Sequence, residues 1–385
     1  MIKVELKGGA VKEFENGTTP AEIAKSIGAG LYKSVCCAKV DGDLCDLRTP
    51  LEKDCKVELL TFDNVDGQKT FWHTASHVLA QAVKRLYPNA KCAIGPAVDN
   101  GFYYDFDVEK PFSPEDLEKI KAEMKKIVKS GLELERVELS PEEAEKKLEE
   151  MNEPYKVELV KEHSDKGEHI TFYKQGEFID LCAGPHLMSV APIKAIELTA
   201  CTGAYWRGDA NNAQLCRVYG VAFPKASMLE EHLKKLEEAK LRDHNKLGRE
   251  LEYFTTVDYV GQGLPILLPK GARVVQLLQR WVEDVEQSKG CLLTKTPLLA
   301  KRDLYKISGH WDHYLDGMFV LGDPHDEEKE CFALRPMTCP FQYQVYLNKQ
   351  RSYRDLPMRL TETSTLPCSS VHNFRRTLHS PSRSA

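Results

Sequence analysis

The chain has 385 residues and a formal net charge of −5, with 42% hydrophobic and 29% charged residues. This length and composition are those of a globular protein with two or three domains, and the slightly acidic charge neither requires nor excludes a nucleic-acid partner. The alternating start, Ile2–Leu6, lacks the apolar run of a signal peptide, and no later stretch is apolar enough to span a membrane. We therefore expect a cytoplasmic protein whose twelve scattered cysteines are reduced thiols.

The first 61 residues have the pattern of a small domain that mixes strands with a helix. An alternating strand at Ile2–Leu6 is followed by a second strand and by a helix that begins near Pro20, with Thr18 or Thr19 as its capping residue. The later Asp41-Gly42-Asp43 sequence is typical of a hairpin turn. Together these elements predict a β-grasp fold.

The stretch Phe71–Val83 predicts a helix, because its apolar residues recur at three- and four-residue intervals. His73 and His77 then share one face. About a hundred residues later, Asp180–His186 offers a carboxylate, a thiol and a third imidazole around a Gly-Pro turn. Spacing alone suggests a zinc site whose ligands would be His73, His77, Cys182 and His186. The alternative is that the histidine pair is an ordinary surface or core feature of an amphipathic helix.

Other patterns between residues 62 and 224 predict an α+β domain. Two helices are expected to begin after Ser113-Pro114 and Ser140-Pro141, where a capping serine precedes a proline at the first helical position. Two stretches, Tyr155–Leu159 and Ile170–Tyr173, alternate like strands.

The C-terminal part of the sequence changes character twice. Residues 225–250 predict one uninterrupted helical linker, and beyond it an amphipathic helix at 273–288 precedes a strand-like stretch at 292–297. Residues 367–385 contain no acid and are biased to Ser, Arg, Pro and His, so we expect a disordered tail. A frameshifted or mispredicted gene end explains this tail most simply, and the alternative is an Arg/Ser tail that binds RNA.

The order of these motifs resembles the threonyl-tRNA synthetase family, which belongs to class II. The His-x-x-x-His helix, the Gly-Phe-Tyr-Tyr-Asp-Phe stretch at 101–106 and the Asp180–His186 turn resemble its editing domain, which is related to that of alanyl-tRNA synthetases. Ser308–Trp311 and Leu334–Pro340 match the family's catalytic domain, and the resemblance ends after Leu366.

The resemblance implies a multidomain α+β protein. Its segments would be a β-grasp TGS domain at 1–61, an α+β editing domain at 62–224, a helical linker at 225–250, an incomplete class II antiparallel-sheet catalytic domain at 251–366 and an aberrant tail at 367–385.

The family attaches threonine to its tRNA with ATP and hydrolyses mischarged seryl-tRNA, and the resemblance implies that this C-terminally truncated chain keeps only the hydrolysis. Six editing residues are implied: His73, His77, Lys156, Asp180, Cys182 and His186. His73 and Lys156 would activate or orient water, while Asp180 and His186 would fix the amino group and the tRNA end. The remaining two would line the pocket, with Lys156 and Asp180 at its rim.

Cofactors and partners also follow from the resemblance. The family's synthetic site uses ATP with magnesium and one zinc ion. Of the three protein ligands of that zinc, only Cys339 is matched here. We therefore expect that ATP, magnesium and zinc do not bind stably to this chain. The editing site is expected to be metal-free. Expected partners are the tRNA for threonine, threonine and ATP, and a homodimer by family, but neither DNA nor a membrane. The alternatives are a free-standing zinc-dependent aminoacyl-tRNA hydrolase and a non-catalytic tRNA-binding module.

Overall fold

The computed structural model describes residues 1–209, 211–261 and 264–366. The chain divides into two compact units, Met1–Glu237 (unit 1) and the remainder from Glu238 (unit 2). Helices and strands are mixed in both units, so the protein is a multidomain α+β protein. The tail predicted at 367–385 lies outside the described residues. No helix in the described part of the chain has the length and apolar character that a membrane span needs.

The first 61 residues form a five-stranded sheet with two helices. Its elements are β1 Ile2–Leu6, β2 Val11–Phe14, α1 Pro20–Ile27, α2 Ala29–Ser34, β3 Val35–Val40, β4 Asp43–Cys45 and β5 Cys55–Thr61. The strand order is β2-β1-β5-β3-β4, with β1 and β5 parallel and the other pairs antiparallel. Helix α1 begins at Pro20 with a capping box between Thr19 and Glu22, which confirms the predicted helix start.

The rest of unit 1 is built around one long, buried helix. The helices are α3 Val65–Leu86, α4 Pro114–Ser130, α5 Pro141–Glu150, α6 Pro154–Asp165 and α7 Ala226–Leu241, the last of which crosses the unit boundary. The strands are β6 Lys91–Cys92, β7 Ala97–Val98, β8 Gly101–Asp107, β9 Leu134–Glu138, β10 Thr171–Gln175, β11 Phe178–Leu181, β12 Ala195–Tyr205 and β13 Gln214–Phe223.

These strands form two sheets, one of order β12-β13-β8-β6 with β7 paired to β8, and one of order β11-β10-β9. Apolar residues of α3 share one core with the larger sheet, Phe71 and Leu79 with Phe102 and Val218 among them. The Trp72 indole N–H donates to the carbonyl of Ala222 at 2.8 Å, which ties α3 to the end of β13.

Two sequence predictions in unit 1 and its boundary were wrong. Tyr155–Leu159 is not a strand but part of α6, which begins with Pro154 at its first turn. The buried residues of α6, Lys156 and Val160, are four apart and so lie on one helical face, a spacing that five alternating residues could not reveal. The predicted linker helix is broken after Leu241, because Asp243 caps a new helix by accepting the N–H of Lys246 at 2.9 Å.

Unit 2 consists of short strands and one long helix. Its helices are α8 His244–Glu250, α9 Pro269–Ser288, α10 Arg302–Ile307, α11 His310–Tyr314 and α12 Cys339–Leu347. Its strands are β14 Phe254–Thr255, β15 Ile266–Leu267, β16 Leu292–Leu293, β17 Leu299–Lys301, β18 Val320–Leu321, β19 Phe332–Leu334 and β20 Leu360–Thr361. The strand expected at 292–297 therefore covers two residues. One small core surrounds Tyr305, Trp311 and Phe341.

Candidate functional site

Helix α3 carries three polar side chains of the candidate site within about one turn. His73 and His77 lie on one face, with ring centroids 5.4 Å apart, and Thr74 follows His73 in the sequence. Thr74 and His77 are buried and His73 is half-buried. A buried helix face is normally apolar, so three polar groups here need partners elsewhere in the fold.

Those partners come from β11 and the turn that follows it. Asp180 lies in β11, and Cys182 and His186 lie on the two sides of a turn through Gly184. Gly184 has φ +76°, and a Cβ atom there would overlap the Tyr173 hydroxyl. Glycine is therefore required at this position for both its backbone conformation and its lack of a side chain.

The Cys182 sulfur joins the two halves of the site. Its Sγ lies 3.2 Å from Nε2 of His73 and 3.1 Å from Nε2 of His186. The sulfur also accepts a hydrogen bond from the backbone N–H of Gly184 at 3.3 Å. One possible ligand atom from each of these three side chains and from His77 lies within 4.8 Å of the others.

Thr74 determines which nitrogen of His186 carries the proton. Its hydroxyl donates to the carbonyl of Thr70 at 3.0 Å and lies 3.3 Å from Nδ1 of His186. Because the hydroxyl has one proton and that proton is used, Nδ1 of His186 must be the donor in the second contact. The lone pair of Nε2 therefore faces Cys182.

Lys156 and Asp180 form a buried ion pair beside the cluster. Nζ of Lys156 lies 2.8 Å from Oδ1 of Asp180, and the Tyr104 hydroxyl donates to Oδ2 at 2.6 Å. Burial alone would lower the pKa of Lys156, but the adjacent carboxylate outweighs it and the pKa is raised. Burial would raise the pKa of Asp180, but Lys156 and His77 hold it below its usual value. Both groups are therefore charged at neutral pH.

The pKa values of His73 and His186 are both lowered. Desolvation by the surrounding atoms lowers the pKa of His73 to about 4, although part of its ring reaches the pocket surface. Desolvation, assisted by His77 and His73, also holds the pKa of His186 well below its usual value. Both imidazoles are therefore neutral at pH 7 and can accept a hydrogen bond or a proton.

A cavity of about 350 Å³ opens onto this group. Its lining contains five of the six residues that the resemblance implied: His73, His77, Lys156, Asp180 and Cys182. His186 is fully buried and is not part of the lining, but its Nε2 contacts Cys182, which is. Lys156 and Asp180 were expected at the rim of the pocket, but they do not lie at an exposed rim. Helix α6 and strand β11 turn both side chains inward, where each is about 5% exposed.

Cys339 lies apart from this cluster in the sequence, as the first residue of α12 in unit 2. Over the described residues, the cluster of His73, His77, Cys182 and His186 is the only group of histidines, cysteines or acids that could hold a metal ion. No such group of three or more residues includes Cys339 in that part of the chain.

Sequence reasoning missed the groups that hold Asp180 and the turn at His186 in place. These are Asp46, Arg48, Thr74, Tyr104 and Tyr173. Thr74 and Tyr104 stand inside stretches that were already singled out, where a hydroxyl on a buried face is a usable signal. Asp46 and Arg48 carry no local signal, because their partners are about 140 residues away in the chain.

Two family models match the chain. The TGS domain model matches residues 2–61, and the model of the threonyl and alanyl tRNA synthetase second additional domain matches residues 170–219, which include Asp180, Cys182 and His186. These matches and the site place the chain in the class of proteins that combine a TGS domain with this additional domain.

Curated relatives narrow the class. The chain is 61% identical over 366 residues to a threonine–tRNA ligase of Clostridium perfringens, 60% identical to one of Clostridium botulinum, and 52% identical over 363 residues to one of Acetivibrio thermocellus. Each match covers 94% or 95% of this chain and 56% of the relative. The chain therefore belongs to the threonine–tRNA ligase family and spans just over half the length of these relatives.

Solved structures are similar over smaller parts. The RNA binding domain of a threonyl-tRNA synthetase from Cryptosporidium parvum Iowa II is 32% identical, with a TM-score of 0.31 over 34% of this chain and 31% of that chain. A putative threonyl-tRNA synthetase from Aeropyrum pernix is 25% identical, with a TM-score of 0.30 over 33% of this chain and 30% of that chain. Scores of this size do not establish a common overall fold.

Proposed function

We propose that this chain hydrolyses the ester between serine and the tRNA for threonine in the cavity lined by His73, Lys156, Asp180 and Cys182. The observation that carries the proposal is the cluster of three histidines and Cys182, in which the imidazoles of His73 and His186 are neutral, directly beside a charged, buried Lys156–Asp180 pair. Such a site can orient a water molecule through a neutral imidazole and presents fixed charges at the same opening, both of which assist ester hydrolysis. Membership of the threonine–tRNA ligase family supports the choice of substrate.

The reaction forms two bonds and breaks two. The oxygen of water attacks the carbonyl carbon, the bond from that carbon to the ribose oxygen breaks, and the proton that water loses ends on the ribose oxygen, so that serine and a free ribose hydroxyl are released. His73 is neutral and half-buried at the cavity, so it accepts a hydrogen bond from the attacking water. Because a pKa of about 4 makes it a weak base, its main contribution is to orient the water rather than to hold its proton.

The charged pair provides the remaining contacts. The Asp180 carboxylate attracts the ammonium group of the amino acid, and Lys156 fixes that carboxylate and adds positive charge near the developing oxyanion. Serine and threonine differ by one methyl group, worth about 1–3 kcal/mol of discrimination in a fitted pocket. We expect serine to be the preferred ester.

A zinc hydrolase is the second candidate, because the four donor residues suit a zinc ion. His77 Nδ1 is buried and has no hydrogen-bond partner in the described structure, as a metal-ligand nitrogen would be. His73, His77, Cys182 and His186 would hold the ion, which could activate water or a carbonyl as a Lewis acid. Four protein ligands close a tetrahedral shell, however, and a closed zinc site is structural rather than catalytic.

The test follows release of serine or threonine from the charged tRNA for threonine by the 385-residue chain at low salt, with and without chelator. We expect faster release of serine, no effect of chelator, and loss of the preference in a His73→Ala/His77→Ala double variant. His325→Ala is the matched control, because His325 is an exposed histidine of unit 2. The proposal would be overturned if serine and threonine were released at equal rates and the double variant left these rates unchanged.

Two further outcomes identify the alternatives. Loss of activity in chelator, together with bound zinc in the untreated protein, would support the zinc hydrolase. Binding of the tRNA without release of either amino acid would support a non-catalytic binding module. The curated relatives are threonine–tRNA ligases of which this chain spans 56%. Loss of threonine ligation in this chain, and homodimer formation by family, stay predictions.

A further inference from the structure

Asp46, in the sheet domain of the first 61 residues, reaches the turn that carries His186. Its Oδ2 accepts the backbone N–H of His186 at 3.1 Å and the hydroxyl of Tyr173 at 2.9 Å. Its Oδ1 accepts the backbone N–H of Arg48 at 2.9 Å and Nη1 of the Arg48 guanidinium at 3.0 Å. Arg48 Nη1 also donates to Oδ2 at 3.2 Å. Asp46 is 6% exposed, and its hydrogen bonds from His186 and Tyr173 are buried.

Arg48 holds the other side of the same turn. Its Nη2 donates to the carbonyl of Leu187 at 2.7 Å, and its Nη1 donates to the carbonyl of His186 at 3.3 Å. Its Nε donates to the carbonyl of Leu134, in β9, at 2.9 Å. The N–H and the C=O of His186 are therefore both bound by charged groups from one short segment of the N-terminal domain.

These bonds fix the backbone at the point where the His186 ring leaves it. The ring itself is held at Nδ1 by Thr74 and packs against the rings of His73, His77 and Tyr173, so its orientation toward Cys182 depends on the backbone as well as on these side chains. Leu47, between Asp46 and Arg48, is fully buried in the core of the N-terminal domain, so the folding of that domain fixes both charged side chains.

From these contacts we infer that Asp46 and Arg48, which we call the Asp46–Arg48 clamp, are positioning residues for the hydrolytic site. They hold His186 so that its Nε2 faces Cys182, and through Cys182 they fix the wall of the cavity next to His73. The N-terminal domain is then part of the support of the site rather than only a neighbour of it. This inference rests on the proposed hydrolysis of aminoacyl-tRNA for its catalytic consequence.

The clamp can be opened without a change in size. Asp46→Asn replaces one carboxylate oxygen by an amide NH₂ group, so either the His186 N–H or the Arg48 guanidinium loses its acceptor. Arg48→Lys keeps the charge but loses the planar fork that reaches three carbonyl groups. Asp54→Asn is the matched control, because the Asp54 carboxylate also accepts a backbone N–H, that of Lys3 at 2.7 Å, but at an exposed site.

Two measurements are made on the full chain. Steady-state hydrolysis of seryl-tRNA separates kcat from KM, and hydrogen exchange resolved by peptide reports on the turn at 183–188 independently of activity. We expect Asp46→Asn to lower kcat about tenfold to a hundredfold, by analogy with residues that orient metal-bound histidines, with KM unchanged. Exchange should speed up at 183–188 and stay unchanged in β13. Arg48→Lys should give an intermediate kcat, and Asp54→Asn should match the unsubstituted chain.

Several results would overturn the inference. One is a kcat of Asp46→Asn equal to that of Asp54→Asn, and another is a rise in the KM of Asp46→Asn without a fall in its kcat. A third is faster exchange throughout unit 1 in Asp46→Asn, because this would show a general loss of fold. If the unsubstituted chain releases neither amino acid, the proposed function fails, and the clamp is judged by exchange alone. Faster exchange confined to 183–188 then supports it, and unchanged exchange there contradicts it.

Discussion

Trp72 and Trp281 lie on long amphipathic helices of similar length, α3 with 22 residues and α9 with 20, but they have opposite environments. Trp72 is 3% exposed and Trp281 is 63% exposed. Helix α3 is buried along most of its length, whereas Gly271 is the one buried residue of α9. An apolar stripe thus predicts that a helix forms, but not that the described part of the chain covers its apolar face.

Ion pairs show a different contrast, because buried pairs occur in both units. Unit 1 contains Lys156–Asp180, whose members are each about 5% exposed, and unit 2 contains Arg335–Glu362, with side chains 1% and 2% exposed. Unit 2 also has exposed pairs such as Lys270–Glu252, with side chains 62% and 72% exposed. Burial of an ion pair therefore does not by itself mark a site, and the candidate site lies in unit 1 because Lys156 and Asp180 line a cavity together with His73, His77 and Cys182.

The largest expected effect comes from exchanging the two tryptophans for alanine. Trp72→Ala removes a core side chain and its hydrogen bond to Ala222, so we expect a loss of about 3–5 kcal/mol of unfolding free energy. Trp281→Ala should change it by no more than about 0.5 kcal/mol. Hydrogen exchange in increasing urea, resolved by peptide, assigns each loss to a unit. Equal losses would show that the exposed face of α9 is covered in solution.

A second comparison uses the buried pair Lys156–Asp180 and the exposed pair Lys270–Glu252. Lys156→Met leaves the Asp180 carboxylate buried without its cation, which should cost about 3–5 kcal/mol, whereas Lys270→Met should cost about 1 kcal/mol or less. A Lys156→Met/Asp180→Leu variant should recover part of the stability, because no charge then stays buried. Urea midpoints give the differences. An undamaged Lys156→Met would mean that Asp180 finds another cation or is protonated.

Local sequence signals were sufficient for elements whose geometry is set within one turn of chain. The serine caps before Pro114 and Pro141 and the His73–His77 spacing are of this kind. Lys156 was assigned to a strand because five alternating residues fit both periods, and only the packing of Val160 against the unit 1 core settles the matter in favour of a helix.

Asp46 and Arg48 had no sequence signal at all. The contacts that Asp46 makes with Tyr173 and His186 join positions 127 and 140 residues apart, and no pattern near Asp46 indicates them. The candidate site could therefore be predicted as a set of chemical groups, but not as a supported arrangement. Two of the residues that orient it, Asp46 and Arg48, come from a domain whose own pattern predicts only a sheet and a helix.

Limited proteolysis is the third comparison. The described residues of unit 2 expose apolar side chains of α9 and of β15 and β16, and their recorded core is one small cluster, so local opening should be easy there. We expect the first cuts between 264 and 366, while 62–224 stays intact. Mass spectrometry of the early fragments identifies the order. Equal resistance of the two segments would show that unit 2 is stabilised by a partner or by its own association.

The smallest effect should come from a surface acid of unit 1. Hydrogen bonds from Arg85, together with Gln81, lower the pKa of Glu177 to about 2. A lowered pKa in the folded state stabilises the protein above the ordinary glutamate value and ceases to do so as the pH falls toward 2. Because the Glu177 side chain is 58% exposed, the effect is screened and should stay below about 1 kcal/mol.

Glu177→Gln tests this in unfolding free energies measured from pH 7 down to pH 3. The unsubstituted chain should be slightly more stable at pH 7, and its advantage should shrink through the interval between the ordinary and the lowered pKa. The neutral amide can still accept a hydrogen bond from Arg85, which is 2.6 Å in the unsubstituted chain, but it carries no charge, so the part of the difference that changes with pH reports the charge. A constant difference across the whole range would show that the substitution acts through packing against Gln81 rather than through the ion pair.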